Sequence, residues 1–170
     1  MINKTRLIRL TQKLISINSE NPPGDESRIA VFVKNYLDEL GLKTKVYEFQ
    51  KKRLNVVAAL EGRDKKHSLL ITPHLDTVPA GKSWHYNPFR AEIRGGKMYG
   101  LGTTDCKGNL ALALEAINSI VEDGITLAYN LIFAATADEE SGSDLGLIPL
   151  LEKKILTPDA AIVLDSDDLD

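Results

Sequence analysis

The sequence predicts a three-layer α/β/α domain with a mostly parallel, mixed central sheet. Three observations predict it. Helical and extended apolar patterns alternate along the 170 residues. The runs Asn55–Leu60 and Ser68–Thr72 are almost continuously apolar, as strands are when both faces are covered. No linker, internal repeat or low-complexity tract divides the chain, and its length suits one domain.

From Lys4 to Ile15 the apolar residues Leu7, Ile8, Leu10, Leu14 and Ile15 recur at helical spacing, and Asn21-Pro22-Pro23-Gly24 forbids continuation. Asp25 is placed to cap a second helix, whose stripe Ile29, Ala30, Val33, Tyr36, Leu37 and Leu40 ends at Gly41, a residue suited to a left-handed terminus. Strands are expected at Lys43–Phe49, Asn55–Leu60 and Ser68–Thr72. Ala91–Arg94 and Lys97–Tyr99 flank Gly95-Gly96, a two-residue hairpin signal. A long helix over Lys107–Glu122, stopped by Gly124, precedes a buried strand at Tyr129–Thr136, a helix at Leu145–Glu152 and a last strand at Ala160–Leu164.

Composition excludes several kinds of partner. With 21 basic against 24 acidic residues and a net charge of −3, no general basic field exists to hold a nucleic acid. Lys51-Lys52-Arg53, between two strands, reads as a solvated loop. No apolar run reaches the ~18 residues of a membrane helix, and no secretory leader is evident, so a cytoplasmic location is expected. The single cysteine, Cys106, cannot form an internal disulfide and reads as a small buried thiol.

Four segments carry chemistry. In Leu69-Leu70-Ile71-Thr72-Pro73-His74-Leu75-Asp76 a buried strand runs into a His-x-Asp pair. Residues two apart in extended backbone face the same way, and the C-terminal end of a strand is where open α/β sheets bind ligands. Imidazole is a good zinc ligand, and its second nitrogen usually donates to a carboxylate such as Asp76. Alone, the pair also fits a turn with Asp capping amides. Asp105, in the loop Gly100-Leu101-Gly102-Thr103-Thr104-Asp105-Cys106-Lys107-Gly108, could equally cap a helix. The run Asp138-Glu139-Glu140 sets three mutually repelling carboxylates after a buried strand, a cost a divalent cation removes; its bland reading is a solvated acidic loop. Asp165 again follows an apolar strand. Four strand ends or loops delivering His or carboxylate to one sheet edge are improbable as separate accidents, and their conjunction points to a metal site.

Those segments, with Ser19-Glu20-Asn21-Pro22-Pro23-Gly24, resemble metallopeptidase family M20, which includes acetylornithine deacetylases, succinyl-diaminopimelate desuccinylases, aminoacylases and glutamate carboxypeptidases. The resemblance implies a zinc-peptidase-like fold and a dinuclear site, Zn2+ or alternatively Co2+. Asp105 is expected to bridge two cations about 3.5–4 Å apart, His74 and Asp165 to complete one site, and Glu140 to bind the other. Glu139 is then the general base of a metal-activated water, Asp76 the partner that orients His74, and the Asp105–Cys106 peptide cis. The implied substrate is an N-acylated amino acid or small peptide, cleaved at its amide bond.

The resemblance also implies that residues 1–170 form the first, metal-binding portion of a longer catalytic domain. A lid and dimerisation domain and a later segment with a further zinc-binding His are expected outside it, so homodimerisation is expected only where that lid is present, and the isolated portion is expected to bind at most one metal tightly and to turn over poorly. Many acyl-removing members have Glu-Pro-Thr at Asp165-Ser166-Asp167, which weakens any finer substrate assignment. His67 and His85 match no ligand position and read as surface histidines. Two other readings share these residues: an M28-type zinc aminopeptidase, and a catalytically inert domain that keeps the fold.

Overall fold

The computed structural model describes residues 1–165. Helix α1 spans Lys4–Ile15; Asn3 caps it by accepting the Arg6 N–H on its side chain at 3.1 Å. Helix α2 spans Ser27–Glu39 and turns out of helical geometry at Gly41, which takes φ +82° as the pattern predicts. Its start corrects one expectation. Glu26, not Asp25, occupies the cap position, and Asp25 instead accepts the Ser27 N–H at 3.2 Å from one residue further out.

Five strands form the main sheet: β1 (Lys43–Gln50), β2 (Arg53–Leu60), β3 (Asp64–Thr72), β6 (Tyr129–Ala135) and β7 (Ala160–Val163), in spatial order β1-β2-β6-β3-β7. The β1–β2 and β2–β6 pairs are antiparallel, and the β6–β3 and β3–β7 pairs are parallel. Only β2 therefore runs against the other four, as the mostly parallel expectation required. The hairpin β4 (Glu92–Arg94) and β5 (Lys97–Tyr99) turns at Gly95-Gly96, both with positive φ.

Side chains alternate between two cores. Val56 and Ala58 of β2 and Leu131, Phe133 and Ala135 of β6 face α1, α2 and α3 (Lys107–Glu122). Leu70, Ile132 and Ala134 face the opposite way, onto Leu150 of α4 (Leu147–Glu152), which gives the three layers. Arg6 clamps α1 to α3 through two bonds to Glu115, at 2.6 and 3.0 Å, and the Glu115 side chain is fully buried. Helix α4 begins two residues later than its apolar pattern suggests: Gly146 is the cap residue, outside helical geometry at φ −120° and ψ −111°, and a Cβ there would overlap the Ala137 carbonyl. No helix among the described residues is long and apolar enough to cross a membrane.

The β2 boundary carries the main correction. Arg53 is not part of a solvated loop: it opens β2 and is only 5% exposed, while Lys51 and Lys52 remain in the exposed turn. Continuing the Val56–Ala135 antiparallel register by three residues brings Arg53 opposite position 138, at the edge where β3, β6 and β7 end.

Candidate metal centre

Beyond β3 the chain stays extended. Leu75 N–H donates to the Thr136 carbonyl (2.7 Å) and Thr136 N–H to the Pro73 carbonyl (3.1 Å), so the parallel pairing continues past both strands and sets His74 beside the acid turn. His74 is 2% exposed. Its Nε2 lies 2.7 Å from Asp105 Oδ1, and its Nδ1 lies 3.0 Å from the Asp76 backbone carbonyl and 3.4 Å from Asp76 Oδ1. Nε2 is also 3.9 Å from Glu139 Oε2 and 4.0 Å from Asp165 Oδ1.

Asp105 arrives from the loop before α3. Gly108 allows this approach: its N–H donates to the Gly102 carbonyl at 3.0 Å, and a Cβ there would overlap the Thr103 carbonyl. The Asp105–Cys106 peptide is cis, as the resemblance implied. Cys106 is fully buried and donates from Sγ to the Leu164 carbonyl at 2.9 Å, next to Asp165. Lys107 follows, fully buried, its Nζ donating to the Ile17 carbonyl at 2.6 Å; burial lowers its pKa to about 8, against the opposing influence of Glu20 and Asp76.

Three of the expected ligands converge. One donor atom each from His74, Asp105 and Asp165 lie within 4.8 Å of one another, and this is the one such set among the described residues. An imidazole with two carboxylates at that spacing is donor chemistry that suits a divalent cation. Glu139 borders the same small cavity, about 90 Å³, which His74, Thr136, Leu147 and Asp165 also line. Glu140 sits one residue on, with Oε1 accepting the Val78 N–H at 3.0 Å. Ser166 and Asp167 lie outside the described residues.

Asp76 differs in detail from expectation. Its backbone carbonyl is closer to His74 Nδ1 than its carboxylate is, because the carboxylate is engaged by the N–H groups of Glu139 (3.1 Å) and Glu140 (3.2 Å) and by Asn21 Nδ2 (2.9 Å). Burial alone would raise the Asp76 pKa, yet His74, Asn21 and the Glu139 N–H hold it below the ordinary carboxylate value. Burial pushes the carboxyls of Glu139 and Glu140 up; Asp165, Asp76 and Asp105 reinforce this for Glu139, and Asp105 for Glu140. Burial opposes the His74 charge, but Asp76 and Cys106 outweigh it and carry its pKa to about 12. Without a cation, a proton on His74 partly balances the surrounding carboxylates.

Sequence reasoning missed Arg53 and gave Asn21 no contact. Both meet Asp138, the first acid of the triplet. The signal for Arg53 lay in the antiparallel register, which a charge run by itself does not disclose. His67 and His85 are exposed, as expected, His67 being paired with Asp64 at 2.7 Å.

A carboxylate-rich cluster with one imidazole, at the C-terminal edge of a mostly parallel sheet, defines a metal-centre type of α/β domain. The description of peptidase family M20/M25/M40 matches residues 70–170, and the chain belongs to that family. It is 33% identical to the N-formyl-4-amino-5-aminomethyl-2-methylpyrimidine deformylase of Bacillus subtilis, over 98% of this chain and 40% of that protein. It is 34% identical to the acetylornithine deacetylase of Pasteurella multocida, over 87% of this chain and 39% of that one. A solved M20 family metallo-carboxypeptidase from Sulfolobus solfataricus superposes with a TM-score of 0.83 at 26% identity, over 94% of this chain and 37% of that one. The chain thus spans about two fifths of the length of the curated relatives it matches.

Proposed function

We propose that residues 1–170 are the metal-binding portion of a hydrolase that cleaves the amide bond of an N-acylated amino acid or small peptide, with zinc as the cation and cobalt as a working substitute. The observation that supports this reading is the convergence of His74, Asp105 and Asp165 at one sheet edge, with Glu139 beside them. His74 and Asp165 would hold one cation, Asp105 would bridge to a second, and Glu140 would donate to that second ion. A divalent cation supplies Lewis acidity toward an amide carbonyl and toward water.

The chain's own groups do the rest. Asp76, by accepting two turn amides and lying against His74, fixes both the imidazole and the segment that carries Glu139. Glu139, with its carboxyl raised by burial, is suited to take a proton from an attacking water and return it to the leaving amine. The cavity of about 90 Å³ beside His74, Glu139 and Asp165 has room for an ion and water.

The test is metal content. The purified chain is expected to carry zinc that a chelator strips, and Asp105→Ala and His74→Ala are expected to abolish binding. Metal that survives both substitutions, or a wild-type chain that takes up none, sinks the reading and favours an inert domain. A panel of N-acetyl, N-succinyl and dipeptide substrates, run with and without chelator, then identifies the acyl group.

A further inference from the structure

We infer that Arg53 and Asn21 are positioning residues that turn Asp138 inward and so present Glu139 and Glu140 to the metal centre, an assignment that rests on the hydrolase reading above. Three adjacent acids cannot all serve one small site. The structure divides them. Asp138 takes a left-handed conformation (φ +67°) and is 5% exposed, whereas Glu139 and Glu140 are half-buried, Glu139 on the cavity beside His74 and Asp165.

The inward carboxylate is held from three sides. Arg53 donates from a terminal guanidinium nitrogen to Asp138 Oδ1 at 2.8 Å, Asn21 Nδ2 lies 3.3 Å from the same oxygen, and Leu145 N–H donates to Oδ2 at 3.1 Å. Arg53 is itself anchored by Nε to the buried Glu26 at 2.8 Å. Asn21 uses its other Nδ2 bond on Asp76 Oδ2, and Asp76 accepts the amides of Glu139 and Glu140. One amide group thus links the clamp behind the turn to the clamp in front of it.

The Asn-Pro-Pro-Gly run acquires a second meaning here. Gly24 has φ +75°, and a Cβ at that position would overlap the Arg53 guanidinium. The run that stops a helix also leaves room for the arginine. An unpaired carboxylate buried beside Asp76 would be repelled by it, and the turn would rotate to release it.

The test measures the turn directly. Backbone amide exchange of the full chain is followed at Glu139 and Glu140, with Leu131 and Phe133 of β6 as internal references. In Asn21→Ala and Arg53→Met, protection at the two turn amides is expected to fall by about tenfold or more while the β6 amides hold, with Arg53→Lys restoring part of it. Co2+ affinity, read from the optical spectrum, is expected to fall by roughly 10–100-fold in the same two variants. Unchanged turn protection, or an equal loss across β6, overturns the assignment; should Arg53→Met not fold, Asn21→Ala decides alone. A wild-type chain that binds no Co2+ sinks the hydrolase reading instead, and the exchange data still decide the positioning of the turn.

Discussion

His74 has an acceptor at each ring nitrogen, Asp105 at Nε2 and the Asp76 carbonyl at Nδ1, which is the geometry of an imidazolium. A cation that takes Nε2 must displace that proton. Metal binding at neutral pH is therefore expected to release about one proton per ion, and affinity is expected to rise with pH; titration calorimetry in buffers of different ionisation enthalpy checks both. The same raised pKa sets the sign of a stability effect. His74 binds its proton more tightly folded than unfolded, so its contribution is complete below the ordinary value of 6.5 and fades as pH climbs toward 12. Glu139 and Glu140, also raised, act in the same direction, their contribution fading as pH rises past the ordinary 4.5. Lys107, whose pKa is lowered to about 8, acts in the opposite direction above that pH, so chelator-treated protein is expected to lose melting temperature between about pH 6 and 8, and cation-loaded protein to lose less. Glu139→Gln separates proton transfer from metal binding: metal content is expected to stay, and kcat on an amide substrate to fall by roughly 10²–10⁴.

At the level of elements, the metal centre depends on how the α3 loop and the end of β6 are seated. Gly108 is in the first turn of α3, and a side chain there collides with the Thr103 carbonyl. Gly108→Ala is expected to cost about 1–3 kcal/mol in denaturant unfolding and to weaken metal binding, because Asp105 lies in the same loop. Strand β6 is central, and Phe133, 1% exposed, packs between it and the helices. Phe133→Ala is expected to cost about 3–5 kcal/mol, read by the same unfolding experiment. Its turn amides should keep their relative protection, in contrast to Asn21→Ala.

For the whole molecule, a cation bound only by the folded state stabilises by mass action. At a free concentration of 100 times Kd this amounts to about 2.7 kcal/mol, and thermal unfolding with and without chelator measures it. Asp105→Ala is expected to remove that difference while leaving the metal-free melting temperature within a few degrees, since the Asp105 side chain is 41% exposed. The effect connects donors on strands far apart in the chain, so it reports the integrity of the sheet edge as a unit.

Local signals account for the part of this protein that its sequence alone determined. Helix α1 has the bounds its periodicity marks, Gly41 and Gly95-Gly96 turn where backbone sterics favour glycine, and the apolar runs of β2, β3 and β6 alternate between two cores. His74, Asp105, Glu139, Glu140 and Asp165 could be singled out because each sits where a strand or loop ends and each is a donor. Tertiary structure decided what depends on partners distant in the chain. The order β1-β2-β6-β3-β7 is not chain order, and only the antiparallel register of β2 brings Arg53 to Asp138 across 85 residues. Asp76 turned its carboxylate mainly to backbone amides for the same reason. Periodicity and donor type are properties of neighbours along the chain, whereas burial of a charge depends on which opposite charge the fold brings to it.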